Sequence, residues 1–226
     1  MATEPVVRLS AVSFAYPGGA LCLRVEGMEI APGELVACIG PSGSGKTTLV
    51  SLIAGVLIPN AGSVRTLGRE VSALTDAGRR KLRREEIGMV FQEFELLEYL
   101  TAMENITLAW RLGGVTNREA LRRGAIQAAQ AAGIGQLLAR KPRQLSQGER
   151  QRVALCRALA TNPKLILCDE PTGNLDPMAT SAVLDLLLAQ ARATGAAMLM
   201  VTHNHALLPR FDRVIDLAAL GDGAGA

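Results

Sequence analysis

The chain has 226 residues, of which 49% are apolar and 3% aromatic, and it carries a formal net charge of +3. That length accommodates one large domain or two small lobes, with a core built mainly from Leu, Val, Ile and Ala. The charge is too small to imply a nucleic-acid partner, no apolar run is long enough to span a bilayer, and the N-terminus lacks a basic start and an apolar stretch, so a soluble cytosolic chain is expected.

The elements follow in order. Three β-rich runs come first: "VVRLS", "LCLRVEGMEI" and "ELVACIG", with "PGG" at Pro17 to Gly19 marking a turn. Leu35 to Ile39 reads as a buried strand. It runs into "GPSGSGKTT", and "LVSLIAGVLI" continues at helical period. "PNAGSVRTLG" reads as a turn and a strand, "DAGRRKLRREE" as a charged helix and "IGMVF" as a short strand. From about Leu96 to Ala160 the pattern is helical. "KLILCDE", bounded by Pro163 and Pro171, reads as a buried parallel strand. A helix (Met178 to Ala193), a strand (Ala197 to Thr202) and a last strand (Arg213 to Leu217) follow, and "GDGAGA" reads as a flexible tail, residues 221–226. Strands alternating with helices predict an α/β fold with a mainly parallel sheet. Cys22, Cys38, Cys156 and Cys168 form no CxxC pair and sit in apolar stretches, so they read as small buried residues.

Gly40 to Thr47, "GPSGSGKT", fits G-x-x-x-x-G-K-[ST] in full. Glycines let the backbone curl with its N–H groups inward, and the following helix adds positive potential at its N-terminus. A glycine-rich turn is the plain alternative, but the strand before and the helix after are the context a phosphate loop requires. Gly40, Pro41, Ser42, Gly43, Ser44, Gly45, Lys46, Thr47 and Thr48 are the candidate nucleotide-binding residues. Lys46 can reach the β- and γ-phosphates of a nucleoside triphosphate, and the Thr47 hydroxyl can ligate Mg²⁺.

Asp169 and Glu170 end the apolar run "LILC". Adjacent strand residues point to opposite faces, so one carboxylate can face Mg²⁺ and the other an attacking water. Asp169 is the candidate metal residue and Glu170 the candidate base. Strand ends of this kind are where open α/β sheets bind ligands.

With these motifs together, the sequence resembles the ATP-binding cassette (ABC) ATPases from Tyr16 to His203. Their LSGGQ signature stands here as "LSQGE", Leu145 to Glu149. Physically, Ser146 and Glu149 form an S-x-x-E capping box ahead of an apolar run. The resemblance adds that Ser146, Gly148 and Glu149 meet the γ-phosphate bound by a second copy. Gln147 stands where the family usually has glycine, and Glu149 where it usually has glutamine. The resemblance further implies adenine stacking for Tyr16, sensing of Mg²⁺ and water for Gln92, a loop crossing the dimer interface for "GNLD" with Asp176 as its acid, and a γ-phosphate contact for His203. It implies a P-loop NTPase fold in a single cassette: an N-terminal antiparallel β-subdomain with a RecA-like core (about 1–95 and 161–220) and an inserted helical subdomain (96–160).

The cofactors implied are ATP and Mg²⁺, and the partners are a second copy in an ATP-sandwich dimer and an integral membrane permease subunit. The place is then the inner face of the cell membrane. "FQEFELLEYLTAMENI" with "DEPTGNLD" and "VTHNH" is most similar to the lipoprotein-release, macrolide-efflux and cell-division branch, although Glu98 replaces that branch's usual proline. Its members perform export or mechanotransmission. The alternative is a non-transport cassette acting on DNA, the ribosome or an envelope enzyme. The basic run from Gly78 alternates into acids and reads as a solvated helix face, so no nucleic acid is expected.

Overall fold

The computed structural model describes residues 4–19, 21–91, 96–113, 117–173 and 177–221. The chain opens with β1 (Val7–Ala15) and β2 (Leu21–Ile30), paired antiparallel. Val7, Leu9, Val12 and Phe14 of β1 are buried while Arg8 and Ser10 face out, the alternation of a sheet covered on one side. β3 (Leu35–Ile39) follows, then α1 (Lys46–Ile53), β4 (Ala61–Thr66) and the short β5 (Arg69–Glu70). α1 stops at Ile53, so the helical period expected through "GVLI" is cut short.

α2 (Asp76–Glu86) occupies the charged run and is N-capped by the Thr75 side chain. Then come β6 (Ile87–Phe91), α3 (Ala102–Ile106), α4 (Leu108–Arg111), α5 (Arg118–Ala131), α6 (Gln147–Leu159), β7 (Leu165–Asp169), α7 (Pro177–Thr194), β8 (Ala197–Val201), β9 (Arg213–Asp216) and α8 (Leu217–Gly221). The last strand thus ends one residue short of the expected Leu217. Asp216 turns the chain there, its carboxylate accepting from Ala218 N at 3.0 Å. Of the expected flexible tail, Gly221 ends α8 and the rest lies outside the described residues.

Two sheets result. One is antiparallel in the order β2-β1-β4-β5, and the other has the order β6-β7-β8-β3-β9 with every pairing parallel. The α/β architecture expected from the alternating elements is therefore present, with the antiparallel sheet N-terminal and a helical block between β6 and β7. β3, β7 and β8 are apolar on both faces, and period two sorts them. Val36, Cys38, Leu165, Leu167 and Leu199 pack toward α1 and the antiparallel sheet. Leu35, Ile166, Cys168, Met198 and Met200 pack toward α6 and α7.

α6 serves two cores. Leu155, Ala158 and Leu159 belong with the parallel sheet and α7. Val153 and Cys156 belong with Ile106, Leu121, Ala125 and Ile134 of the helical block. The C-terminal part of α6 lies hard against β6: a Cβ at Gly88 would come within 2.4 Å of the Ala158 carbonyl oxygen, so the approach needs a glycine. Asn105 is fully buried and organises the entry to this block. Its amide donates to the carbonyl oxygens of Leu97 (3.1 Å), Leu100 (3.3 Å) and Thr101 (3.0 Å), and its oxygen accepts from Leu97 N at 2.8 Å.

Candidate functional site

β3 delivers the chain to Gly40, and the loop returns to the start of α1. Gly45 stands at the N-cap with φ 91°, and no side chain caps the helix. A Cβ at Gly45 would come within 2.9 Å of the Cys22 carbonyl oxygen. The left-handed turn and the close approach both require glycine. With no cap, the first-turn N–H groups of α1 are available to an anion. Lys46 is buried, and its Nζ donates to the carbonyl oxygens of Gly40 (2.9 Å) and Pro41 (2.7 Å). The loop holds the ammonium in place with groups that a phosphate can replace.

A cavity of about 510 Å³ opens over this loop, lined by Gly40, Ser42, Gly43, Gly45, Lys46, Thr47, Thr48, Asp169, Glu170, His203 and Cys22. All but Cys22 are residues singled out from the sequence. Pro41 contributes its carbonyl to Lys46. Ser44 Oγ is buried with no hydrogen-bond partner, an atom left to be satisfied. Tyr16 is 47% exposed; its ring meets Phe14 edge-on at 5.0 Å and its hydroxyl lies 3.2 Å from Thr48 Oγ1. An aromatic face is thereby presented beside the loop. Gln92 and Asp176 lie outside the described residues.

The carboxylate pair is arranged differently from the expected alternation along one strand. β7 ends at Asp169, and Glu170 turns off it with φ 48°. A non-glycine residue held in that region costs about 1–3 kcal/mol and persists only where its surroundings fix it. Glu170 N donates to the Val201 carbonyl oxygen (3.0 Å) and Gly173 N to the Glu170 carbonyl oxygen (3.1 Å). The Glu170 carboxylate meets His203 Nδ1 at 3.1 Å, with the imidazole 66% exposed. Asp169 lies deeper. Burial, the largest influence, raises its carboxyl above the ordinary range; the Thr47 hydroxyl and Lys46 pull the other way, and the charge of Glu170 adds to the rise. Asp169 and Thr47 face each other as two hard oxygen donors, the donor chemistry that suits Mg²⁺ alongside phosphate oxygens.

Ser146, Gly148 and Glu149 do not line this cavity. They form the first turn of α6, where Ser146 is the N-cap and the capping box is complete. Glu149 N donates to Ser146 Oγ (3.3 Å), and the Glu149 carboxylate accepts from Ser146 N (2.7 Å) and Ser146 Oγ (2.9 Å). Those bonds, the backbone one first, hold the Glu149 carboxyl below its ordinary range. Gln147 is exposed.

Three residues escaped the sequence reading. Cys38, Cys156 and Cys168 are buried as expected, and burial pushes the thiols of Cys38 and Cys156 up to about 12. Cys22 instead is half-buried and faces the cavity, its Sγ 3.5 Å from Thr48 Oγ1. Asn105 offered only a polar residue in an apolar run. Gln151, in α6, is buried and its amide donates to the Pro171 carbonyl oxygen. No local pattern announces that contact, because its partner is 20 residues away.

Away from this cavity, an apolar groove of about 350 Å³ is lined by Ile87, Met89, Phe91, Leu97, Leu108 and Leu112 together with Arg83, Arg84 and Arg157. Within the basic run of α2, Arg79 and Arg83 are spent on the chain's own carbonyls, Leu74 (2.7 Å) and Gly55 (2.7 Å). Among the described residues no helix is long and apolar enough to cross a membrane.

A family model described as ABC transporter matches residues 24–173. The chain is 41% identical over 215 residues to the lipoprotein-releasing system ATP-binding protein LolD of Xanthomonas oryzae pv. oryzae, covering 94% of this chain and 88% of that one. It is 42% identical over 222 residues to an uncharacterized ABC transporter ATP-binding protein of Mycobacterium tuberculosis, covering 96% and 88%. Among solved structures it is similar to the dimeric post-hydrolysis state of the ATP-binding cassette MJ0796 bound to ADP and Pi, with a TM-score of 0.84, 34% identity and 93% of each chain covered.

Proposed function

The chain belongs to the ABC transporter family and is one of its ATP-hydrolysing cassettes, and on that premise we propose that two copies close on two ATP molecules to drive a separate membrane subunit, in export or mechanotransmission. The observation that carries this reading is the split between two helix starts. One start, at α1, is uncapped and opens on a cavity that also holds Asp169, Glu170 and His203. The other, at α6, is exposed and lies away from that cavity, so it is free to cover the phosphates of another copy.

In this reading the loop N–H groups and Lys46 take the β- and γ-phosphates, exchanging the Gly40 and Pro41 carbonyls for phosphate oxygens. Tyr16 stacks on adenine. Thr47 and Asp169 would hold Mg²⁺, an ion that supplies neutralisation of phosphate charge, and Gln92 would sense it. Water attacks the γ-phosphorus, Glu170 accepts its proton, and ADP leaves with the β–γ bridging oxygen. His203 orients the Glu170 carboxylate and contacts the γ-phosphate. Ser146 and Gly148 of the second copy close the open side, with Asp176 at the seam. The catalytic core, the helical subdomain and the surface they share then work as a single cassette.

The groove beside β6 is our candidate seat for the membrane subunit. Its apolar floor fits a helix, and Arg84 on its lining favours one carrying a carboxylate. The similarity to LolD supports the lipoprotein-release branch, and a cytoplasmic position under the membrane follows. The DNA or ribosome alternative is the weaker reading, since Arg79 and Arg83 of the basic run are engaged with the chain's own carbonyls.

Glu170→Gln tests the core of the proposal. It should bind ATP, accumulate as a dimer and hydrolyse roughly 10²–10⁴-fold more slowly. Unchanged turnover in the purified variant would remove Glu170 from its role.

A further inference from the structure

We propose that Gln151 is a positioning residue that ties the start of α6 to the backbone of Pro171, directly after Glu170, and so couples the two ATP sites of the dimer. The proposal rests on the paired-site reading above and extends it to a residue that lines neither candidate phosphate site.

Gln151 is 3% exposed, and its Nε2 donates to the carbonyl oxygen of Pro171, the residue directly after Glu170. Its Oε1 is also buried and has no hydrogen-bond partner among the described residues. The donor bond to Pro171 is therefore the hydrogen bond that orients this buried amide. That bond is one of three that fix the left-handed turn at Glu170; the others are Glu170 N to Val201 O and Gly173 N to Glu170 O. The latter two come from the sheet and from the turn itself. Among the described residues, the Gln151 bond is the one that comes from α6.

Gln151 stands three positions after Gly148, on the same helix face. A cavity of about 170 Å³ lies there, lined by Gly148, Gln151, Arg152, Val183 and Leu186. The first turns of α6 therefore have room to shift against α7. A phosphate from the partner copy settling on Ser146 and Gly148 would move that turn, and Gln151 would carry the movement to Pro171 and the Glu170 carboxylate. Each site's base is thus set by occupancy of the other site.

The test is steady-state ATPase of the full chain over a range of ATP concentrations, with thermal melting as the control for folding. Gln151→Met removes the donor and keeps the size. We expect kcat to fall about tenfold, the effect of one lost hydrogen bond, with the KM for ATP unchanged and the Hill coefficient dropping toward one. Gln151→Leu, similar in bulk and likewise without a donor, should behave alike and decides the matter if the first variant fails to fold. Wild-type kcat and cooperativity in a folded variant would overturn the proposal. So would a fall in kcat matched by a rise in KM with cooperativity intact, which marks simple damage to binding. A wild-type Hill coefficient near one would instead remove the paired-site reading itself, and the coupling with it.

Discussion

The two helix starts invite comparison, since both have the chemistry of an anion site and only one is unfinished. α1 begins at a glycine with no side-chain cap, and its neighbours are a lysine and an open cavity. α6 begins at a serine whose capping box is already closed by a carboxylate. The first leaves its donors to the ligand. The second already binds one of them, Glu149 N, to the Ser146 side chain and places negative charge where a phosphate would arrive. An uncapped start makes a primary binding site; a self-capped start makes one that engages late, when a ligand already anchored elsewhere is brought against it.

The largest effect should come from breaking the open start. Lys46→Ala should weaken ATP binding by about tenfold to a hundredfold, the effect of losing a charge-assisted contact; nucleotide titration checks it, and unaltered affinity would undo the contrast. Next is the capped start. Ser146→Trp should leave ATP affinity of the monomer intact while reducing turnover about tenfold or more, by blocking the proposed seam; a monomer hydrolysing at full rate with this substitution would show that the second start is not needed.

The third effect concerns stability. The raised carboxyl of Asp169 favours the protonated form in the fold, so its cost is absent below its unfolded pKa and grows as the pH rises through the folded one. Asp169→Asn should therefore raise the Tm of nucleotide-free protein at neutral pH, with the gain shrinking toward about pH 4. A pH-independent Tm difference would contradict this assignment. The smallest effect sharpens the comparison. Glu149→Gln keeps an acceptor for the capping box but removes the charge, and should tighten ATP-driven dimerisation about two- to fivefold, within the range of a helix-terminus charge. Sedimentation in a Glu170→Gln background reads it directly.

The parts of this site that were legible in the sequence are those set by local chemistry. The glycine loop, the buried strand ending at Asp169 and the Ser146–Glu149 box all depend on residues within one turn or one strand. The boundaries of α2 followed the charged run because Thr75 could cap it. What stayed hidden depends on chain segments meeting from afar. Cys22 reaches the cavity only because β2 passes under Gly45. Glu170 departs from the strand alternation expected of it because bonds from Val201 and Gly173 impose a turn. Gln151 looks like any helix residue until Pro171 is brought above it.

The glycine at position 88 has a mechanical meaning. By letting β6 press against the Ala158 carbonyl, it clamps α6 near its end, while the opposite end of the helix stands exposed beside a void. A rod gripped at one end and loose at the other is a cantilever: a small push at its tip is borne as rotation about a fixed root, and anything bolted along its length swings with it.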